Sequence, residues 1–222
     1  MVFLTEKVQM TRNKITTFYL VRHGETDWNK KGITQGQTDT LLNDLGIKQA
    51  EEAAQLLNKI KFDFAFSSDL IRAKRTTEII ALDHKVATET TNLLRERNFG
   101  SLTKKPYQLV SDHFKLMTKL SEGERKKYRV APDAENDEEF ISRIFTFLRE
   151  TALAYPGKKI LIGTHSGVLR IILIHLGYKT HKEYENMRMK NGGYIKLESD
   201  GVEFFIKETN GFEERQKGAS DL

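Results

Sequence analysis

The chain has 222 residues, of which 38% are hydrophobic and 30% charged, and its formal net charge is +5. This composition argues against a disordered chain, and the length suits one α/β domain. No apolar run reaches the roughly 20 residues that span a bilayer, and residues 1–14 lack the apolar core of a secretory signal. We therefore expect a cytoplasmic protein without a membrane partner. The absence of cysteine excludes disulfides, thiolate metal sites and cysteine nucleophiles.

Basic residues are dispersed among acidic ones along the chain. The cluster Arg125-Lys126-Lys127 has no aromatic stacking pattern or nucleic-acid motif around it. Proteins that bind nucleic acids usually combine a basic patch with such a pattern. We interpret the cluster as a solvated surface and predict no nucleic-acid partner, while the sequence leaves the oligomeric state open.

Apolar strand patterns alternate with helical patterns along most of the chain. We predict an N-terminal extension over residues 1–14, one domain over residues 15–209 and a C-terminal tail over residues 210–222. The predicted strands are Ile15–Arg22, Phe62–Ser67, Val86–Thr88, Lys159–Gly163, Gly193–Glu198 and Val202–Lys207. The predicted helices run from Asn43 to about Lys59, over Leu70–Ala81, weakly over Pro106–Val130, from Asn136 to about Tyr155 and over Val168–Leu176. This alternation predicts an α/β fold, a three-layer α/β/α sandwich with a mostly parallel sheet.

A charged motif, Arg22-His23-Gly24-Glu25, ends the first strand. Ligands of open α/β sheets bind at the carboxyl ends of strands, where an arginine beside a histidine is well placed for an anion. A neutral imidazole can attack phosphorus, and a planar guanidinium can bind phosphate oxygens with two hydrogen bonds. The pair therefore indicates phosphoryl transfer, although the two residues alone could equally form an ordinary surface pair.

The stretch from Phe18 to Asn29 decides between these interpretations. Its Arg-His-Gly-Glu motif, followed by Trp28-Asn29, resembles the signature of the histidine phosphatase superfamily, in the branch similar to cofactor-dependent phosphoglycerate mutase. Three further parts of the family pattern follow in the expected order along the chain. They are Arg72 in the stretch Ser67–Ala73, Glu96 shortly before Gly100, and His165 between an apolar strand and Gly167. The resemblance covers about Ile15 to Lys207.

The resemblance implies a role for each matching residue. His23 is expected to carry the phosphoryl group, Glu96 to act as general acid and base, and His165 to stabilise charge during transfer. The residues expected to bind the phosphate are Arg22, Asn29, Gln35, Gly36 and Arg72. Nearby positive charge should keep His23 neutral by lowering its pKa. No cofactor or metal is implied, and the six histidines show no zinc-ligand spacing.

The resemblance includes both mutases and phosphatases. The interval between Glu96 and His165 is shorter than in the mutases, which carry an extra segment with paired arginines over the site. Phe99 replaces a tyrosine of the mutases, and Tyr107 stands where they carry a lysine. We therefore favour a phosphatase acting on a small phosphorylated metabolite; a phosphoglycerate mutase, a non-catalytic phosphate-binding module and a phosphoprotein-directed enzyme remain alternatives.

Overall fold

The computed structural model describes residues 14–185 and 187–214, which form six strands and eight α-helices around one sheet. The strands are β1 (Thr16–Arg22), β2 (Phe64–Ser68), β3 (Thr88–Thr91), β4 (Lys159–Thr164), β5 (Met187–Ser199) and β6 (Phe204–Glu214). The helices are α1 (Asp27–Lys30), α2 (Asp44–Leu57), α3 (Ile71–His84), α4 (Tyr107–Met117), α5 (Glu122–Lys127), α6 (Asp137–Ala154), α7 (Ser166–His175) and α8 (His181–Glu185). None of the helices in these residues is long and apolar enough to cross a membrane.

The sheet has the strand order β3-β2-β4-β1-β5-β6. Strands β1 to β4 are parallel, and β5 and β6 form an antiparallel hairpin beside β1. β1 and β4 are direct neighbours in the middle of the sheet, in a register that pairs Arg22 with Thr164. The carboxyl ends of both central strands therefore open at the same edge, where ligands of α/β sheets bind.

Two hydrophobic cores lie on opposite faces of the sheet, because side chains alternate along each strand. Phe18 and Leu20 of β1 belong to a core shared with α6 and α7. Tyr19 and Val21 face the other way and pack with α2 and α3. This arrangement confirms the predicted three-layer sandwich.

Polar side chains cap two of the predicted helices, α2 and α6, whereas α3 begins after Leu70 without a side-chain cap. Asn136 and Glu139 form a capping pair at the start of α6, with Glu139 N–H donating to Asn136 Oδ1 over 2.9 Å and Asn136 N–H donating to Glu139 Oε2 over 3.2 Å. Asn43 caps α2 by accepting from the Gly46 N–H over 2.8 Å. Such caps satisfy backbone donors that a helix end leaves free.

The closing hairpin is longer than its sequence pattern predicts. The predicted strands were Gly193–Glu198 and Val202–Lys207, whereas β5 begins at Met187 and β6 ends at Glu214. An irregularity between Met189 and Tyr194 interrupts the pairing, and Gly192 there has a φ of 76°. Because this bulge breaks the polar–apolar alternation, the early part of β5 was missed.

Three other segments differ from their predictions. The strand predicted at Val86–Thr88 lies later, at Thr88–Thr91. The weakly helical region Pro106–Val130 contains two separate helices, α4 and α5. The first residues of the predicted tail, 210–214, belong to β6, while residues 215–222 and residues 1–13 of the predicted extension lie outside the described residues.

Lys104 has a left-handed backbone conformation, with φ at 69°. A side chain in this region costs about 1 kcal/mol that glycine does not incur. We therefore expect Lys104→Gly to raise the free energy of unfolding by about 0.5–1 kcal/mol in urea denaturation. The exposed neighbour Lys105, whose φ is not positive, is the matched control: Lys105→Gly should be neutral or destabilising. Equal effects of the two substitutions would contradict the prediction.

Candidate active site

The two histidines that the sequence singles out lie side by side at one edge of the sheet. His23 follows β1 and His165 follows β4, and the His23 N–H donates to the Thr164 carbonyl over 2.9 Å. The centroids of the two imidazole rings are 5.2 Å apart. Both side chains are buried, with 3% of His23 and none of His165 exposed. The parallel pairing of β1 and β4 thus produces the contact between them.

The orientation of His23 is fixed from several directions. Its Nδ1 lies 2.7 Å from the Gly24 carbonyl oxygen, which can only accept a hydrogen bond, so the proton of the neutral ring sits on Nδ1. The His23 carbonyl accepts from Asn191 Nδ2 over 2.9 Å, and the Gly24 N–H donates to Thr76 Oγ1 over 3.0 Å. This tautomer leaves the lone pair on Nε2, the nitrogen free to act as a nucleophile.

The surroundings of both histidines favour the neutral imidazole. Burial lowers the pKa of His23 well below its ordinary value, and the positive charges of Arg72 and Arg22 lower it further, against a smaller opposing effect of the Gly24 hydrogen bond. Burial and Arg72 likewise lower the pKa of His165. The two arginines therefore act on His23 in the predicted direction, although burial is the larger cause.

Arg72 is fully buried in the first turn of α3. The helix dipole disfavours a cation there, but main-chain oxygens of a loop compensate it. Arg72 Nη1 donates to the Thr38 carbonyl over 2.7 Å and Nη2 donates to the Gly36 carbonyl over 2.8 Å. Burial lowers the pKa of Arg72 to about 10, so the side chain stays cationic at neutral pH. The guanidinium of Arg22 is held similarly, by Nη1 donating to the Met189 carbonyl.

Several buried polar atoms around His23 have no hydrogen-bond partner in the part of the chain that the structure describes. They are Arg22 Nε, Arg72 Nε and both ring nitrogens of His165. A buried polar atom without a partner costs free energy, so such atoms are rare and usually indicate a missing partner. A cluster that combines two guanidinium donors with an imidazole is suited to an anion with several oxygens.

Glu96 faces this cluster and is 9% exposed. Its Oε1 accepts from the Arg97 N–H over 2.8 Å and its Oε2 accepts from the Gly167 N–H over 3.1 Å. A Cβ at position 167 would lie 2.1 Å from Glu96 Oε1, closer than any real contact. The absence of a side chain at Gly167 therefore allows the carboxylate to reach the site.

Arg143 holds the main chain that carries Glu96. Its Nη1 donates to the Leu93 carbonyl over 2.7 Å and its Nη2 donates to the Glu96 carbonyl over 3.0 Å. Glu135 accepts from Arg143 Nε over 2.7 Å and from Nη2 over 3.1 Å, which fixes the guanidinium. Arg143 is thus a positioning residue for Glu96.

The other three predicted phosphate-binding residues lie in the wall of the same cavity. Asn29 caps the short helix α1, with Oδ1 accepting from the Thr26 N–H over 3.2 Å. Gln35 accepts from Thr40 Oγ1 over 2.5 Å, and the Gly36 carbonyl accepts from Arg72. These contacts fix the loop that follows α1 and hold it against Arg72.

One cavity unites nearly all of the predicted site residues. Its lining includes Arg22, His23, Asn29, Gln35, Gly36, Arg72 and Glu96. His165 is fully buried beside His23, while its neighbours Ser166 and Gly167 line the cavity. The structure thus places His165 behind the cavity surface, next to the proposed nucleophile.

The far end of the cavity contains residues that the sequence did not single out as a group. They come from separate elements and include Arg97, Phe114, Asp137, Arg170, His181 and Tyr184. Asn191, which binds the His23 carbonyl, comes from the irregular part of β5. No local sequence signal joins these residues, because only tertiary packing brings them together.

The lowered pKa values of His23 and His165 predict a dependence of stability on pH. Below about pH 6.5, each histidine is protonated in the unfolded chain but stays neutral in the folded one. The free energy of unfolding should therefore decrease as pH falls from 7.5 to 5.5, by up to about 1.4 kcal/mol per pH unit for each histidine. His165→Gln should remove the contribution of one histidine, so the free energy of unfolding, measured by urea denaturation, should depend less steeply on pH. An unchanged slope would show that His165 is protonated equally in both states.

The profile of the histidine phosphatase superfamily (branch 1) matches residues 18–211 of the chain. The chain is 31% identical over 198 residues to the uncharacterized phosphatase PhoE of Bacillus subtilis (strain 168), an alignment that covers 88% of this chain and 95% of that protein. It is 29% identical over 219 residues to a 2,3-bisphosphoglycerate-dependent phosphoglycerate mutase of Streptococcus pyogenes serotype M5 (strain Manfredo), covering 84% of this chain and 94% of the mutase.

A solved structure has the same fold. It is a mutant of the phosphoserine phosphatase of Entamoeba histolytica in complex with phosphoserine, which superposes with a TM-score of 0.75 at 24% identity. The superposition covers 88% of this chain and 96% of the other. The resemblance inferred from the motifs, and the phosphatase class of enzyme that it implies, are confirmed by the family match and the curated relatives. The chain belongs to branch 1 of the histidine phosphatase superfamily.

Proposed function

We propose that this protein hydrolyses phosphomonoesters of small metabolites through a phosphohistidine intermediate on His23. The observation that carries the proposal is the cluster of buried, unpartnered nitrogen atoms of Arg22, Arg72 and His165 beside the free Nε2 of His23. A phosphoryl group supplies the oxygens that these donors lack, and it brings phosphorus next to a neutral imidazole.

In the first step, His23 Nε2 attacks phosphorus and the bond between phosphorus and the ester oxygen breaks. Glu96 gives its proton to the leaving oxygen, which departs as an alcohol. Arg22 and Arg72 hold the other phosphate oxygens, and His165 donates to one of them as negative charge moves. The products of this step are phosphorylated His23, ionised Glu96 and a free alcohol.

In the second step, water enters the place that the alcohol has left. Glu96 removes a proton from the water, whose oxygen attacks phosphorus while the bond to Nε2 breaks. Inorganic phosphate leaves, and Glu96 is again protonated and His23 again neutral. One carboxyl group can serve both steps because the alcohol and the water occupy the same position.

The positive charge for this reaction comes from side chains. Other phosphoryl-transfer enzymes place metal ions against the phosphate oxygens to neutralise developing charge. Here two buried guanidinium groups, held by main-chain carbonyls, occupy that role in the proposal. We therefore propose a metal-independent reaction, which a chelator tests directly.

Two cavity residues favour hydrolysis over phosphoglycerate isomerisation. Phe99 and Tyr107 line the cavity at positions where the mutases carry a tyrosine and a lysine. The match to the mutase of S. pyogenes keeps isomerisation as the second candidate. Phosphoserine is present in the E. histolytica structure, and a substrate of that size supports a small metabolite here. The cytoplasmic location and the lack of nucleic-acid and membrane partners stay predictions.

We expect phosphate release from alkyl phosphomonoesters in excess EDTA, and we expect His23→Ala to reduce it to the background rate. The alanine removes the nucleophile while leaving the arginines in place. The measurement is inorganic phosphate released over time, together with detection of an acid-labile phosphoenzyme in the wild type. The control is Ser142→Ala, on the exposed side of α6, which should release phosphate at the rate of the wild type.

Different outcomes separate the candidate functions. Isomerisation of 3-phosphoglycerate without phosphate release would assign the protein to the mutases. Loss of release in EDTA that added metal restores would contradict metal independence. A folded protein without either activity would favour a phosphate-binding module or a phosphoprotein substrate.

Glu96→Gln should affect substrates according to their leaving groups. An alkyl alcohol needs a proton to depart, so kcat for an alkyl phosphate should fall by about 10²–10⁴-fold. Nitrophenolate departs as an anion, so p-nitrophenyl phosphate should still give a rapid burst of one nitrophenol per enzyme. Slow turnover should follow, because the base for the second step is missing. Equal slowing of both substrates without a burst would argue against Glu96 as the acid.

A further inference from the structure

The cavity that begins at His23 extends to a second group of polar residues. Its far wall contains Phe114 of α4, Arg170 of α7 and Tyr184 of α8. None of these residues has a role in the phosphoryl-transfer steps above. The far end is therefore available to a part of the substrate that lies beyond the phosphate.

Arg170 is held against aromatic rings at this end. Its Cζ lies 4.4 Å from the centroid of Phe114 and 4.9 Å from the centroid of Tyr184. Among the side chains that the structure describes, which leave out those of Glu185 and Glu214, no carboxylate lies within ion-pair distance of Arg170, and none accepts a hydrogen bond from its guanidinium. Rings cover the flat faces of such a group, so its in-plane N–H groups remain available to a ligand.

The neighbouring charges do not balance Arg170. Asp137, the acid that also lines this end, forms an ion pair with Arg97, and both side chains are buried. His181 lies 3.7 Å from Asp137, but burial lowers its pKa to about 4, so it is neutral at pH 7. Arg97 and Asp137 compensate each other, and no other side chain that the structure describes pairs with Arg170, so its positive charge is unbalanced among them.

The two ends are close enough for one small molecule. Tyr107 and Tyr184 lie near both Arg22 and Arg170, since each tyrosine influences the pKa of both guanidinium groups. Arg22 contacts the phosphate in the proposed function, and it lines the same cavity as Tyr107, Tyr184 and Arg170. A substrate whose phosphate lies against His23 can therefore extend past these rings to Arg170.

We propose that Arg170 binds a carboxylate of the substrate, so that this enzyme prefers phosphomonoesters that carry a carboxylate beyond the phosphate. The proposal rests on the proposed function and names the substrate class of the same site. A carboxylate suits one guanidinium, because its two oxygens match two parallel N–H groups and its single charge balances one cation. A second phosphate, with up to two charges, would need another unpaired cation at the same place.

The test compares substrates that differ only in the carboxylate. One pair is O-phosphoserine and O-phosphoethanolamine, which both have an ammonium group, and the other is 3-phosphoglycerate and glycerol 3-phosphate, which both lack one. We expect kcat/KM of the wild type to be about 10- to 100-fold higher for the carboxylate member of each pair, the range for hydrogen bonds to a charged group. This ratio requires no variant.

Substitutions then assign the preference to Arg170. Arg170→Gln should bring the ratio within each pair close to one, mainly by lowering kcat/KM of the carboxylate member, and Arg170→Lys should keep part of the preference. Arg149→Gln, an exposed arginine on α6, should leave the ratio unchanged. Thermal unfolding of each variant checks that the fold is retained.

The outcomes separate this inference from the proposed function. Hydrolysis of both members of each pair at equal rates by the wild type would overturn the carboxylate site while leaving the phosphatase intact. A preference that survives in Arg170→Gln would assign it to another residue. Faster hydrolysis of propane-1,3-diol bisphosphate than of 3-phosphoglycerate would replace the carboxylate by a phosphate. Failure to hydrolyse any ester would reject the proposed function itself.

Discussion

The parallel pairing of β1 with β4 is the constraint on which the site depends. It aligns Arg22 with Thr164 and so brings His23 and His165 out of the sheet at the same edge. The two cores on either side of the sheet bury both strands, which fixes this register. A shift by one residue would turn the hydrophobic side chains of a strand to the wrong faces. The position of His23 is therefore secured by the same contacts that stabilise the fold.

Burial has opposite consequences for the ionisable groups around the cavity. It keeps His23 and His165 neutral, which a nitrogen nucleophile requires, and the nearby guanidinium charges add to this effect. For the arginines, burial is unfavourable, and each is compensated by oxygens of the main chain. Their Nε atoms are unsatisfied in the described residues. These unsatisfied atoms lower the free energy of unfolding of the ligand-free protein, and binding of an anion would satisfy them.

The sequence predicted the central strands and the residues at their ends, because apolar runs stopped by Arg22-His23 and by Thr164-His165 are local signals. It also predicted α6, as a helix from Asn136 to about Tyr155. The extent of β5 and β6 could not be predicted, since a bulge near Gly192 interrupts the alternation. The far end of the cavity could not be predicted either. Phe114, Asp137 and Arg170 lie on three different helices, and only the packing of those helices makes them one surface. Motif recognition therefore identified residues that lie together around His23, and it missed the end of the cavity that we propose distinguishes substrates.

Three arginines around the site share one feature, because each of them binds carbonyl oxygens of the backbone. Arg72 binds the carbonyls of Gly36 and Thr38, Arg22 binds that of Met189, and Arg143 binds those of Leu93 and Glu96. A carbonyl belongs to every amino acid, so these anchors survive most substitutions at the positions that supply them. The positions of these guanidinium groups therefore do not depend on which side chains the anchoring residues carry. Such a site can exchange the residues that face a new substrate while the cations beside His23 stay where they are.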